Sequence, residues 1–312
     1  MNIVLLFPGQ GSQKAGMGKD LAAAHRAAND IFEQADATLG APLSRLCFEG
    51  PDDELMATRN AQPALLAHGA AVWATVADRV RPHVRAAAGH SLGEFTAYHA
   101  AGSFEFPDAV RLVRRRGELM FESGTKRPGA MAAILGLSEE NVEAACARAQ
   151  DAGVVVPANY NTPVQLVISG EVAAVERAMA IAKELGAKRA IRLNVSGAFH
   201  SPLMEDAAAG LARALDAAPI AATHFPVYSN VSAQPAGGTA DAKKLLLRQL
   251  TSPVRWTELV RRMAEDVPDA LYVEMGPGAV LSTLVKRIVP GTRTMTCGTA
   301  AEVDQLMGVL SA

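Results

Sequence analysis

Short apolar segments alternate along the chain with longer segments whose apolar residues recur every three to four positions. Residues 3–7 are all apolar and end at Pro8, and residues 270–274 form a similar run before Gly276-Pro277. Short, mostly apolar runs are typical of strands buried on both faces, whereas a 3.6-residue period predicts helices. The alternation therefore predicts an α/β fold in which a parallel sheet has helices on both faces.

Residues 129–196 follow a different pattern. Strands are predicted over residues 130–135, 154–159, 165–169 and 189–195, with 161–163 as the turn between the second and third, and helices over 138–150 and 171–185. The order β-α-β-β-α-β is that of a ferredoxin-like domain. We therefore expect a smaller domain at residues 128–196, inserted into a larger, discontinuous domain made of residues 1–127 and 197–312.

Composition excludes several classes of protein. Of the 312 residues 49% are hydrophobic, enough for a sizeable core, and the net charge of −2 gives no general attraction for nucleic acid or anionic membranes. The apolar start lacks the basic region of a signal peptide, and no apolar run approaches the ~20 residues of a membrane span. Cys47, Cys146 and Cys297 are odd in number and far apart, so we expect free thiols in the cytoplasm.

The segment Gly89-His90-Ser91-Leu92-Gly93 fits the G-x-S-x-G nucleophile elbow. A strand of small residues precedes it and a helical pattern follows, as the elbow requires. The glycines permit a sharp turn that lifts Ser91 to a helix N-terminus, where free N–H groups can receive an oxyanion. The alternative is a serine that only caps the helix, which needs no chemistry.

A serine nucleophile needs a base, and His200 is the candidate. It lies in a loop that follows a predicted strand, whereas His90 lies within the elbow and cannot easily reach the neighbouring hydroxyl. Position alone leaves open that His200 merely packs its loop. Residues 7–13 form another loop after a strand, in which the glycines either bring the N–H of Gln10 toward a ligand or only shape a turn.

Among the charged residues, Arg116 is the one whose position indicates an anionic partner. A helix that Pro107 opens has an apolar face including Leu112 and Met120, and Arg116 lies four residues from both. An arginine on an inward face needs an anionic partner, because an unpaired buried charge is costly. That partner is either a protein carboxylate or the carboxylate of a substrate, which a guanidinium binds with two parallel hydrogen bonds.

Several of these segments occur in an order that resembles the malonyl-CoA:acyl carrier protein transacylases of bacterial fatty acid synthesis. The likeness covers nearly the whole chain, and it rests on these motifs: FPGQGSQ at 7–13, GHSLGE at 89–94, Arg116-Gly117 with Met120, NYN at 159–161, GAFHS at 197–201, Gln249-Leu250 with Pro253-Val254 and Trp256, and Gly276-Pro277-Gly278. The resemblance implies an α/β-hydrolase-like larger domain, with malonyl-CoA and acyl carrier protein as partners and no cofactor.

The resemblance also implies a role for each matching residue. It makes Ser91 the nucleophile, His200 the base and Arg116 the ligand of the malonyl carboxylate. It further implies that the N–H groups of Gln10 and Leu92 form the oxyanion hole, that a main-chain carbonyl near Gln249 orients the imidazole, and that Gln249, Phe199 and Asn161 contribute to substrate binding.

Other functions remain open at this point. A loading enzyme for polyketide synthesis or malonate decarboxylation would carry nearly the same motifs. A serine hydrolase or thioesterase would share the elbow but use water as acceptor, and an inward Arg116 argues against it. A non-catalytic scaffold that binds the carrier would not need Ser91, His200 and Arg116 together.

Overall fold

The computed structural model describes residues 1–195 and 197–311. The strands within them are Ile3–Phe7 (β1), Val84–Gly89 (β2), Gly129–Leu135 (β3), Val155–Thr162 (β4), Gln165–Glu171 (β5), Arg189–Arg192 (β6), Val227–Tyr228 (β7), Leu271–Met275 (β8) and Arg293–Cys297 (β9). The helices are Lys19–Ala24 (α1), Arg26–Leu39 (α2), Leu43–Glu49 (α3), Asp52–Met56 (α4), Thr58–Val80 (α5), Leu92–Ala100 (α6), Phe106–Lys126 (α7), Glu139–Arg148 (α8), Val172–Glu184 (α9), Glu205–Ala217 (α10), Thr239–Arg248 (α11), Trp256–Asp266 (α12), Val280–Ile288 (α13) and Ala300–Ser311 (α14).

The larger sheet is parallel, with strand order β7-β2-β1-β8-β9. Successive residues of its central strand β1 enter different cores: Leu5 packs with α5, α6 and α7 on one face, and Leu6 packs with α12 and α13 on the other. Burial on both faces explains why β1 is apolar at every position. The predicted α/β class with a parallel sheet is confirmed.

The smaller sheet is antiparallel, with strand order β4-β5-β3-β6. Helices α8 and α9 cover one of its faces, against alternate residues of β3 such as Ala132 and Ile134. Met131 and Ala133, which lie between them, face the opposite way and line a cavity. The ferredoxin-like arrangement of the smaller part is confirmed.

Two predicted elements of the smaller sheet have different bounds. Strand β4 continues to Thr162, so Asn161 lies in a strand and not in a turn. The strand extends this far because Tyr160 and Thr162 pair with β5, and Asn161 lies at an irregularity between them. Strand β6 ends at Arg192 and not at residue 195, although the N–H of Leu193 still donates to the carbonyl of Met131. The boundary predicted at Ser196 lies outside the described residues, and the division into domains stays a prediction.

Main-chain hydrogen bonds join strand β4 of the smaller sheet to the larger part. The N–H of Val254, just before α12, donates to the carbonyl of Ala158, and the N–H of Tyr160 donates to the carbonyl of Val254. Strand β4 is therefore fixed beside the larger part at residues 158–160. Among the described residues, no helix is long and apolar enough to span a bilayer, and Cys47, Cys146 and Cys297 are free and buried.

Candidate active site

The turn between β2 and α6 is closely packed on both sides of Ser91. A Cβ added to Gly89 would lie 1.9 Å from the carbonyl carbon of Gly93, and one added to Gly93 would lie 1.9 Å from the carbonyl oxygen of Phe7. Ser91 has a φ of 50°, a conformation that residues other than glycine seldom adopt. Strain of this kind is characteristic of a nucleophile elbow, where it exposes the serine hydroxyl.

Ser91 and His200 are in direct hydrogen-bonding contact. The Oγ atom of Ser91 lies 2.8 Å from Nε2 of His200, and Nδ1 of the same ring lies 2.8 Å from the main-chain carbonyl oxygen of Gln249. Because a carbonyl can only accept, Nδ1 carries the proton and Nε2 offers its lone pair to the serine. Burial, with a smaller effect of the nearby Arg116 charge, lowers the pKa of His200 to about 3, so the ring is neutral at pH 7.

Arg116 extends from α7 into the same site and is 1% exposed. Its Nη1 donates to Oε1 of Gln62 at 2.8 Å, and its Nη2 donates to Oε1 of Gln249 at 2.9 Å and to Oγ of Ser91 at 3.1 Å. Burial lowers the pKa of Arg116 to about 10, which leaves it charged at neutral pH.

No direct ion pair to Arg116 occurs in the described part of the chain, and its Nε has no hydrogen-bond partner there. The neighbouring Arg114 and Arg115 point outward and pair with Glu118. A protein carboxylate in direct contact, one of the two alternatives for Arg116, is therefore not what the structure contains. The guanidinium has only neutral direct partners and keeps the capacity to bind an anion.

These residues border a cavity of about 390 Å³ between the two sheets. Gln10 and Leu92, the predicted donors of the oxyanion hole, line it together with Ser91, and Leu92 begins α6, where N–H groups are free of intrahelical partners. Phe199 is buried in its wall. The roles of Gln10, Leu92 and Phe199 stay predictions.

Asn161 lines the cavity and also contacts the elbow. Its Oδ1 lies 2.8 Å from Nε2 of His90, whose ring packs against Trp256 with 5.5 Å between centroids. His90 is thus engaged away from Ser91, which agrees with its exclusion as the base. Burial lowers the pKa of His90, so this contact joins two neutral groups.

Three polar residues of the site were missed by the sequence analysis. Gln62 binds Arg116, Asn230 accepts the Ser91 N–H through Oδ1 at 2.7 Å, and Glu94 accepts from Gln249. Each has a weak signal in the sequence: Gln62 and Glu94 are polar residues within apolar helical stretches, and Asn230 follows the short strand β7. In the part of the chain that the structure describes, no group of three or more metal-ligating side chains could hold a metal ion.

Comparison with known proteins gives a consistent result. Residues 4–303 match the family model described as "Acyl transferase domain". The malonyl CoA-acyl carrier protein transacylase of Bacillus subtilis is 49% identical over 92% of this chain and 90% of its own length. The acyl-carrier-protein S-malonyltransferase of Bartonella henselae has a TM-score of 0.95 at 41% identity, with all of both chains covered. A malonyl-transacylase solved with a type II PKS acyl-carrier protein has a TM-score of 0.95 at 39% identity, with 99% of this chain and all of that chain covered.

Proposed function

The chain belongs to the acyl transferase family, and from this premise we propose that it transfers the malonyl group of malonyl-CoA to the pantetheine thiol of an acyl carrier protein, as in fatty acid biosynthesis. One observation supports malonyl as the acyl group that is transferred. The buried guanidinium of Arg116, which no carboxylate of residues 1–195 or 197–311 contacts directly, lies 3.1 Å from the hydroxyl of Ser91. A malonyl group has its carboxylate carbon two bonds from its thioester carbonyl carbon, so Arg116 can hold the one while Ser91 attacks the other.

In the first half-reaction Ser91 attacks the thioester carbonyl and Nε2 of His200 takes the hydroxyl proton. The N–H groups of Gln10 and Leu92 stabilise the oxyanion, and the His200 proton passes to the departing coenzyme A thiolate. The short Ser91–His200 contact and the neutral ring support this assignment, because the lone pair already faces the proton that it must accept. The product is a malonyl-serine ester.

In the second half-reaction the pantetheine thiol of the carrier enters in place of coenzyme A. His200 takes the thiol proton, the sulfur attacks the ester, and the proton returns to Ser91 Oγ as the C–O bond breaks. Gln249 keeps the imidazole oriented throughout, through its main-chain carbonyl. No step uses a metal or an organic cofactor, and the reaction takes place in the cytoplasm.

A hydrolase with the same elbow is the second candidate, and it differs only in the acceptor. Arg116 favours transfer of malonate, since hydrolysis by itself requires no selection of a carboxylate. A similar malonyl-transacylase has been solved with a type II PKS acyl-carrier protein, which makes a polyketide carrier the alternative acceptor. Transfer and hydrolysis are separated by measuring malonyl-carrier and free malonate in one reaction.

Intact-protein mass spectrometry tests the proposal. Mixed with malonyl-CoA, the protein should gain one malonyl group on the peptide that holds Ser91, and added carrier should remove it. Ser91→Ala should gain none, whereas Ser169→Ala, which changes a buried serine of β5 outside the cavity lining, should be labelled like wild type. Equal labelling of Ser91→Ala and wild type would exclude Ser91 as the nucleophile.

A further inference from the structure

Glu94 is a fully buried carboxylate to which the mechanism above gives no role. It lies on α6, less than one helical turn after Ser91. Its Oε2 accepts two hydrogen bonds, one from Nε2 of Gln249 at 2.7 Å and one from the N–H of Asn230 at 3.0 Å. Burying a carboxylate is costly, so its presence beside a reactive serine requires a reason.

Both partners of Glu94 contact residues that take part in the reaction. Gln249 accepts from Arg116 through its side chain and from His200 through its main chain. Asn230 accepts the Ser91 N–H and donates from Nδ2 to the carbonyl of Gly89 at 2.8 Å. A single intervening residue, Gln249 or Asn230, therefore connects Glu94 to Ser91, His200 and Arg116.

We propose that Glu94 is a positioning residue that balances the charge of Arg116 through Gln249 while the site is empty, and that it takes up a proton when the malonyl carboxylate binds Arg116. The inference rests on the proposed function, since it requires a substrate that carries a carboxylate.

The reason for this proton uptake is the number of buried charges in the site without and with a bound malonyl carboxylate. In the free enzyme, the described residues of the site include one buried cation, Arg116, and one buried carboxyl group, Glu94. An incoming carboxylate adds a second anion that contacts the guanidinium directly, while Glu94 reaches it only through Gln249. Two buried anions cannot share one cation without cost, so the more distant one becomes protonated. Oε1 of Glu94 can hold this proton, because it accepts no hydrogen bond within the described residues.

The groups around Glu94 leave it free to titrate near neutral pH. Burial raises the pKa of Glu94 to about 7, against the opposing effects of hydrogen bonds from Gln249 and Asn230 and of the Arg116 charge. Arg116, from α7, stays charged in this range, and His200, which shares Gln249, stays neutral.

Two further groups lie near Glu94. Ser229 favours the ionised form of its carboxyl group, and Tyr98, on the same helix, interacts with both Glu94 and Asp241 of α11. Burial raises the pKa of Tyr98, so its hydroxyl stays neutral. Glu94 is therefore a buried group of the site whose charge changes near neutral pH.

The first test is the pH dependence of kcat/KM for malonyl-N-acetylcysteamine, a donor without the phosphates of coenzyme A. The kcat/KM of wild type should fall about tenfold from pH 6 to pH 8. This is the largest change that a single group can cause when its pKa in the free enzyme is about 7. Glu94→Gln keeps an acceptor for Gln249 and Asn230 but cannot ionise, so its profile should be level. Glu274→Gln is the matched control, because Glu274 is also a buried carboxylate and accepts hydrogen bonds from the N–H groups of Leu281 and Ser282. This variant should show the same dependence of kcat/KM on pH as wild type.

The second test uses the wild-type protein alone. Acylation breaks the serine O–H and thioester C–S bonds and forms an ester and a thiol, so the chemistry itself neither releases nor consumes a proton. With an indicator dye at pH 7, formation of malonyl-enzyme from malonyl-N-acetylcysteamine should consume up to about half a proton per Ser91, because half of Glu94 is already protonated at its pKa. Absence of uptake, or equal slopes in wild type and Glu94→Gln, would overturn the inference. Failure of wild type to form the malonyl-enzyme would instead contradict the proposed function.

Discussion

Replacing Arg116 by alanine removes the group that we propose to select malonyl over neutral acyl groups. The guanidinium is 1% exposed, so solvent does not screen its interaction with a bound carboxylate. Truncating one member of a buried, hydrogen-bonded charge pair costs about 2–5 kcal/mol, or roughly 30- to 4,000-fold at ~1.4 kcal/mol per tenfold. The change also leaves Oε1 of Gln62 and of Gln249 without their donor, at a cost that every acyl donor shares.

The informative quantity is therefore the ratio of kcat/KM for malonyl-CoA to that for acetyl-CoA, in which the shared cost cancels. Arg116→Ala should lower this ratio by the factor given above. Arg116→Lys should restore it only in part, since an ammonium cannot form two parallel hydrogen bonds to a carboxylate. Arg115→Ala is the control, because Arg115 pairs with Glu118 and Glu122 at the surface, and it should keep the wild-type ratio. If Arg116→Ala kept it too, the carboxylate would bind elsewhere and the assignment would be wrong.

Three further changes test other parts of the site. Phe199→Ser should raise kcat/KM for methylmalonyl-CoA relative to malonyl-CoA, because it opens space in the cavity wall; an equal fall for both donors would mean that Phe199 only packs. Charge reversal at the exposed pairs 188–189 and 286–287 should raise the KM for carrier and flatten its salt dependence while leaving the KM for malonyl-CoA unchanged. Because the pKa of His200 is about 3, below its ordinary 6.5, the neutral ring is lost only as the pH falls toward 3. Acylation by the Glu94→Gln variant should accordingly stay level from pH 8 to 5, and a decline centred near 6.5 would contradict this.

Local sequence patterns were sufficient to predict the parts of the site whose residues lie close together in the chain. The elbow around Ser91 follows from glycine spacing between a strand and a helix, and the structure shows why the glycines are needed. The inward direction of Arg116 follows from its position on the apolar face of α7. Both are consequences of helix and strand geometry over fewer than ten residues.

Contacts between distant parts of the chain could not be predicted in this way. Gln62 lies in α5, Glu94 in α6 and Asn230 in the loop after β7, and local sequence patterns do not show that the three meet. The sequence predicts Asn161 in a turn, but its neighbours Tyr160 and Thr162 both pair with β5, so that Asn161 lies at an irregularity within strand β4. The short β6 depends likewise on a ladder formed only with β3.

Gln249 contacts His200, the base of the proposed reaction, with its main chain and the guanidinium of Arg116 with its side chain. Reactivity and substrate preference are consequently coupled through one residue, and neither evolution nor an engineer can adjust one at this point without disturbing the other. Replacing Arg116 so that the enzyme accepts other acyl groups would therefore require a compensating change at Gln249. Met131 and Ala133 of the smaller sheet also line the cavity, and their apolar side chains carry no N–H or O–H group. Diversification of acyl size is therefore most easily reached from that sheet, with the catalytic half of the molecule left intact.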